Sequence, residues 1–176
     1  MNQSDYIVRN AFPSEFEEIG KLLINVYSQL EGFPKENEMP NYYKMLANIG
    51  DFTNHPETEL LVAVDANNTI LGAVVYFNDM KHYGSGGIAT QEQNSGGFRL
   101  LGVDTKARGK GIGRFLTEEC IKKATDYKRQ QLIIHSTLAM KNAWKMYENL
   151  GFERSEDLDF MQGELAVFGF RLKIDS

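Results

Sequence analysis

Residues 108–113 read Arg-Gly-Lys-Gly-Ile-Gly, between an apolar run at 98–103 and an amphipathic stretch that continues to 126. This order asks for a short strand, a tight turn and a long helix. At a helix start the backbone N–H groups have no partner within the helix, and the macrodipole adds about half a positive charge. An anion is therefore stabilised there. The glycines let the backbone come close to it, and Arg108, Lys110 and Arg114 add formal charge suited to phosphate oxygens. The stretch reads as a phosphate receptor.

A glycine-rich turn into a helix is shared by several nucleotide-binding classes, so the details must discriminate. A P-loop needs Gly-Lys followed by Ser or Thr, but Lys110 is followed by Gly111. A dinucleotide fingerprint needs glycine at the last position of G-x-G-x-x-G, where Gly109-Lys110-Gly111-Ile112-Gly113-Arg114 has arginine. It would also open a βαβ unit, whereas here hairpin strands come first.

Residues 6–9 form a strand candidate, and residues 13–17 a helix start in which Ser14 and Glu17 would make a capping box. Phe16, Ile19, Leu23, Val26, Tyr27 and Leu30 then fall on one helical face, with Gly20 allowing close packing and Gly32-Phe33-Pro34 ending the helix. A second, less regular helical stretch covers 39–52. Residues 59–65 and 69–77 are apolar and β-branched, separated by Ala66-Asn67-Asn68, the pattern of a hairpin. Residues 81–97, rich in Gly, Ser, Asn and Gln, read as a long loop where an acceptor substrate would be sought, or as a plain surface loop. Beyond the turn, Ile112, Phe115, Leu116, Cys120, Ala124 and Tyr127 make one apolar stripe, which places Cys120 in the core. A strand at 131–136, a helix at 140–150 capped by Gly151, and strands at 152–154 and 166–174 follow.

With 176 residues the chain suits one domain spanning 1–176. No apolar run approaches the roughly 18 residues of a membrane span. The start of the chain lacks the pattern of a signal peptide, and Cys120 is the one cysteine. A reducing, cytoplasmic home with no membrane partner is expected. A net charge of −5 argues against nucleic-acid binding and favours a cationic partner.

Residues 108–113 resemble the acyl-CoA motif Q/R-x-x-G-x-G/A of the GNAT N-acetyltransferase superfamily. Residues 143–152, Ala-Trp-Lys-Met-Tyr-Glu-Asn-Leu-Gly-Phe, resemble the A-x-x-x-Y-E-x-x-G-F helix of the same family, and the order of elements is similar along nearly the whole chain. The resemblance implies an α/β fold with a mixed central sheet of about six to seven strands, splayed between strands 4 and 5 and flanked by about four helices. It implies acetyl-CoA as acyl donor, no metal, and transfer of acetyl to a primary amine, on a small molecule or a protein, by direct attack in a ternary complex. The pyrophosphate would take Arg108, Gly109, Lys110, Gly111, Ile112, Gly113 and Arg114. The pantetheine amides would pair with Leu101, Gly102 and Val103, with Gly102 suiting a bend and an N–H near Val103 polarising the thioester.

In that family the motif tyrosine protonates the departing thiolate, a role that maps onto Tyr147; otherwise it is a core tyrosine. Some relatives carry a glutamate base where this chain has His135, whose other reading is a hydrogen-bonded histidine at a strand end. Glu92, His82 or water are alternatives. Where many relatives place an asparagine this chain has Met140, which would pack against cofactor or core; Asn142 lies about 200° further round the helix and does not substitute. A homodimer would be unsurprising. The competing function is a CoA-binding sensor or interaction module without turnover.

Overall fold

The structure, a computed structural model, describes residues 5–84 and 86–174. Its frame is the hairpin of β2 (Thr58–Val64) and β3 (Ile70–Phe77), antiparallel and in register from Thr58 opposite Phe77 to Ala63 opposite Gly72, with a shift before Val64 meets Ile70. The carboxylate of Asp65 closes the turn by accepting from the N–H groups of Asn67 and Thr69, both at 2.9 Å. β1 (Ile7–Asn10) pairs with the outer edge of β2, and β4 (Ser95–Val103) lies antiparallel to β3. β5 (Gln131–Ser136) runs parallel to β4, and β8 (Leu165–Lys173) returns antiparallel to β5. Two short strands, β6 (Glu153–Arg154) and β7 (Phe160–Gln162), both pair with β8.

The apolar runs of β2 and β3 are buried on both faces, as a central strand requires. Leu60, Val62 and Val64 share one core with α1 (Phe16–Ser28) and α2 (Pro40–Ala47). Leu61 and Ala63 point the other way, into a core with α3 (Ile112–Asp126) and α4 (Lys141–Asn149). This is the expected α/β architecture, with helices on both sides of one mixed sheet. Gly20 does allow close packing: a Cβ there would stand 2.8 Å from the Ala47 carbonyl oxygen of α2.

A parallel neighbour needs a crossover connection, and α3 supplies it between β4 and β5. The two strands pair only at Ser95–Gly97 against Gln131–Ile133, then diverge. β4 is also bulged against β3, since Ala73 faces Gly102 while Val75 faces Arg99. The bend sits at Leu100, whose φ is +62°, and not at Gly102 as expected. Gly102 instead makes room for α1, because a Cβ there would lie 2.6 Å from Leu23 Cδ2.

Other expectations are corrected. The capping interaction before α1 is made by Glu15, which accepts from the N–H of Phe12 at 2.8 Å and is held by the Arg9 guanidinium; Ser14 and Glu17 do not form the box. α1 ends at Ser28, before Leu30 and Gly32. Residues 95–97, read as loop, begin β4 and are buried. A Cβ on Gly97 would be 2.8 Å from the Tyr83 ring and 2.9 Å from the Ile133 carbonyl, so the glycines serve close strand packing. Tyr127 lies just past the last turn of α3 and is 52% exposed, off the apolar stripe, while Cys120 is buried. The strand β7 had no counterpart in the sequence reading, whose apolar signal there is only Phe160-Met161. Among the described residues no helix is long and apolar enough to cross a membrane. Residues 1–4 and Ser85, which bore on the reading of the chain start and of the loop, lie outside the described residues.

Candidate active site

β4 leads through a short 3-10 turn (Thr105–Ala107) into the glycine-rich segment and α3. Asp104 shapes this exit by accepting from the Lys106 N–H at 3.0 Å. Gly109 and Gly111 follow at φ +80° and +78°, in the left-handed region that only glycine enters at no cost. Nothing stands within 4 Å of where a Cβ on either would be, so the cradle is open. The first intrahelical bond runs from Phe115 N–H to Gly111 O, which leaves the N–H groups of Ile112, Gly113 and Arg114 without helical acceptors. No acidic residue occupies the first turn of α3. Arg108 and Lys110 are exposed and have no ion pair among the described residues. Arg114 differs, sharing its charge with Glu118 one turn on at 3.1 Å. Open glycines, free N–H groups and two unpaired cations fit a pyrophosphate.

Where β4 and β5 separate, a cleft opens between them. Leu100, Leu101, His135, Thr137, Met140 and Tyr147 line it, with Tyr27, Phe33, Tyr42 and Phe160 supplying aromatic wall. Tyr27 Oη donates to the Leu101 carbonyl at 2.9 Å, so this carbonyl is already engaged. Gly102 and Val103 are in register with β3. β5 pairs with β4 only as far as Gly97, so on that side the backbone of Leu101, Gly102 and Val103 has no strand partner among the described residues.

Tyr147 reaches the cleft because α4 is anchored to β5: Trp144 Nε1 donates to Ser136 Oγ at 2.9 Å, and the Trp144 ring packs edge-on against Phe168 and Phe170. One helical turn on, the Tyr147 ring contacts Phe98, Phe152 and Phe170 and is 7% exposed. Its hydroxyl has no hydrogen-bond partner among the described residues. Burial pushes its pKa up, so it stays a protonated phenol.

His135 is held at both ring nitrogens. Nε2 lies 2.9 Å from the Leu158 carbonyl, which can only accept, so Nε2 carries the proton. Nδ1, 2.8 Å from Tyr83 Oη, then accepts from that hydroxyl. Burial lowers the His135 pKa, with the Arg99 charge adding to it against the Leu158 hydrogen bond. The ring is neutral at pH 7 and can take a proton at Nδ1 only if the Tyr83 hydroxyl turns to accept.

The other candidates are elsewhere. Glu92 is paired with Arg171 at 2.8 Å, on a different depression, and His82 stacks on His55 with centroids 4.7 Å apart. No described residue of the loop read at 81–97 lines the cleft; that wall comes from the β7–β8 hairpin. Three groups went unnoticed in the sequence: Tyr83 behind His135, Thr137 and Arg99. Arg99 had a signal, being the one charge in the apolar run 98–103. Among the described residues no group of three or more His, Cys, Asp or Glu is placed to hold a metal ion.

The family model described as Acetyltransferase (GNAT) family matches residues 22–152. A curated relative, N-alpha-acetyltransferase 30 of Xenopus laevis, is 36% identical over 79 residues, 45% of this chain and 29% of its own length. The chain thus spans under a third of the curated relatives it matches. In fold it is similar to a GNAT-family acetyltransferase from Staphylococcus aureus, with TM-score 0.73, 14% identity, and 97% and 99% of the two chains covered. It is also similar to the spermidine N-acetyltransferase of Vibrio cholerae in complex with CoA and spermine, with TM-score 0.63, 18% identity, and 97% and 96% covered.

Proposed function

As the chain belongs to the acetyltransferase (GNAT) family, we propose that it transfers the acetyl group of acetyl-CoA to a primary amine by direct attack in a ternary complex. The observation that carries this reading is the placement of Tyr147 on a cleft also lined by Leu100 and Leu101, on the strand that runs into the open glycine cradle. A similar fold has been solved with CoA and an amine together.

In this reading Arg108, Lys110 and the free N–H groups of residues 112–114 hold the pyrophosphate, with Gly109 and Gly111 clearing its approach. Acetyl-CoA supplies the activated thioester. The backbone of Leu101, Gly102 and Val103, on the side from which β5 has parted, meets the pantetheine amides, and Met140 packs beside them. The amine lone pair forms the new C–N bond as the C–S bond breaks, and the Tyr147 hydroxyl gives its proton to the leaving sulfur. Even at reference pKa values, near 10 for tyrosine and 8.5 for a thiol, that transfer is uphill by roughly 2 kcal/mol. Burial of Tyr147 makes it more so, hence the proton moves together with bond cleavage. Both ring nitrogens of His135 are already held, Nδ1 by the Tyr83 hydroxyl and Nε2 by the Leu158 carbonyl, so the amine proton leaves through water, the alternative base, while His135 shapes the cleft wall. Direct attack is favoured over a covalent relay because burial pushes the Cys120 thiol pKa up, leaving it a poor nucleophile.

The test is release of CoA thiol from acetyl-CoA over a broad panel of amines, beside calorimetric binding of CoA. Turnover with at least one amine is expected. Binding without turnover across the panel would instead favour the sensor or interaction module, and no binding would remove both readings.

A further inference from the structure

The cleft holds a positive charge that no described residue neutralises. Arg99 projects from β4 into its wall, and of its five N–H donors one is used, Nη1 to the Tyr83 carbonyl at 2.9 Å. Among the described residues it has no ion pair, and no Asp or Glu lines the cleft. A second group nearby is also unsatisfied. Thr137 is 5% exposed, lines the same cleft, and its Oγ1 has no hydrogen-bond partner. Buried polar groups are paired as a rule, and an orphaned one points to a ligand that completes it.

A bare cationic amine such as a polyamine would meet Arg99 as a like charge. An acceptor with a carboxylate would meet it as a bidentate partner, which is the geometry a guanidinium fork favours. The rest of the wall, Tyr27, Phe33, Tyr42 and Phe160, suits an apolar or aromatic body.

We propose that the acceptor is a small amino acid-like molecule, an amine that also carries a carboxylate, and that Arg99 binds this carboxylate with Thr137 Oγ1 donating beside it. The inference rests on the acetyltransferase reading above and gives its acceptor a chemical class. It is specific to free acids: a peptide N-terminus offers an amide where the carboxylate should be, and a polyamine offers nothing.

The experiment measures CoA release with L-phenylalanine, L-phenylalaninamide and phenethylamine, with the matching methionine series, and with spermidine. The free acids are expected to exceed their amides and decarboxylated amines at least tenfold in kcat/KM, mainly through KM. Arg99→Gln should erase that preference while leaving the calorimetric affinity for CoA unchanged, and Arg99→Lys should keep part of it. Because the comparison among acceptors is made in the unaltered protein, it stands even if a variant folds poorly. Turnover of uncharged-tail amines or spermidine as fast as the acids would overturn the inference and leave the acetyltransferase reading intact. So would a preference for acids that survives in Arg99→Gln. Absence of turnover with every amine of the broad panel, these included, would overturn the reading and the inference with it.

Discussion

Tyr83 Oη stands 2.8 Å from His135 Nδ1, joining residues 52 positions apart, and the Leu158 carbonyl takes the other ring nitrogen. The histidine is thereby fixed as the neutral Nε2–H tautomer. Its folded pKa lies below that of the unfolded chain, so below about pH 6.5 the unfolded state binds more protons and is favoured as pH falls. The stabilising contribution of His135 is fully present above that pH and is lost as pH drops to the folded value. His135→Gln should be less stable than the parent at pH 7.5, with the gap narrowing toward pH 5.5. Thermal midpoints across that range check it; a gap independent of pH would contradict the assignment.

Tyr147→Phe should lower kcat by about 100-fold or more, the scale of losing a positioned acid. Its hydroxyl has no partner among the described residues, so thermal stability and affinity for acetyl-CoA should barely change. Because burial raises its pKa, the parent should show no alkaline loss of kcat from this group below about pH 10. Equal kcat in both proteins across pH would remove the acid role.

Gly111→Ala isolates backbone strain, because its Cβ would meet nothing within 4 Å while φ stays at +78°. The cost should be about 1–2 kcal/mol of stability, with weaker CoA binding if the turn relaxes. Arg108→Ala should cost no stability, having no ion pair to lose, yet weaken CoA about tenfold. Calorimetry against denaturant unfolding separates the two effects.

Gly20→Ala should destabilise the protein by about 1–3 kcal/mol, since the new Cβ would press on the carbonyls of Leu46 and Ala47 and force α1 from α2. A drop of several degrees in thermal midpoint is expected, without loss of CoA binding, because the cradle lies on the opposite core.

The elements themselves were largely legible. The β2–β3 hairpin, β5 and α3 announce themselves through local periodicity and turn residues, and the cradle through three glycines among positive charges. Where reading failed, distant atoms were responsible. Ser95-Gly96-Gly97 has loop composition, yet it is strand because only glycine fits between the Tyr76 and Tyr83 rings and the neighbouring backbone. Net charge, by contrast, belongs to the whole surface and leaves the charge of a single cleft open; among the described residues lining this one, Arg99 is the one formal charge.

From its sequence alone the chain declared the family to which it belongs, because the glycine-rich turn into α3 and the motif on α4 are each built from contiguous residues. Only the tertiary structure decided what lines the cleft. Arg99, His135, Thr137, Tyr147 and Phe160 come from four separate elements and one connecting turn, and they meet because β4 bends at Leu100 and parts from β5. Neither the unpaired state of Arg99 nor the doubly held ring of His135 is encoded in any short stretch; each depends on which side chains long-range packing brings near, and which it leaves away.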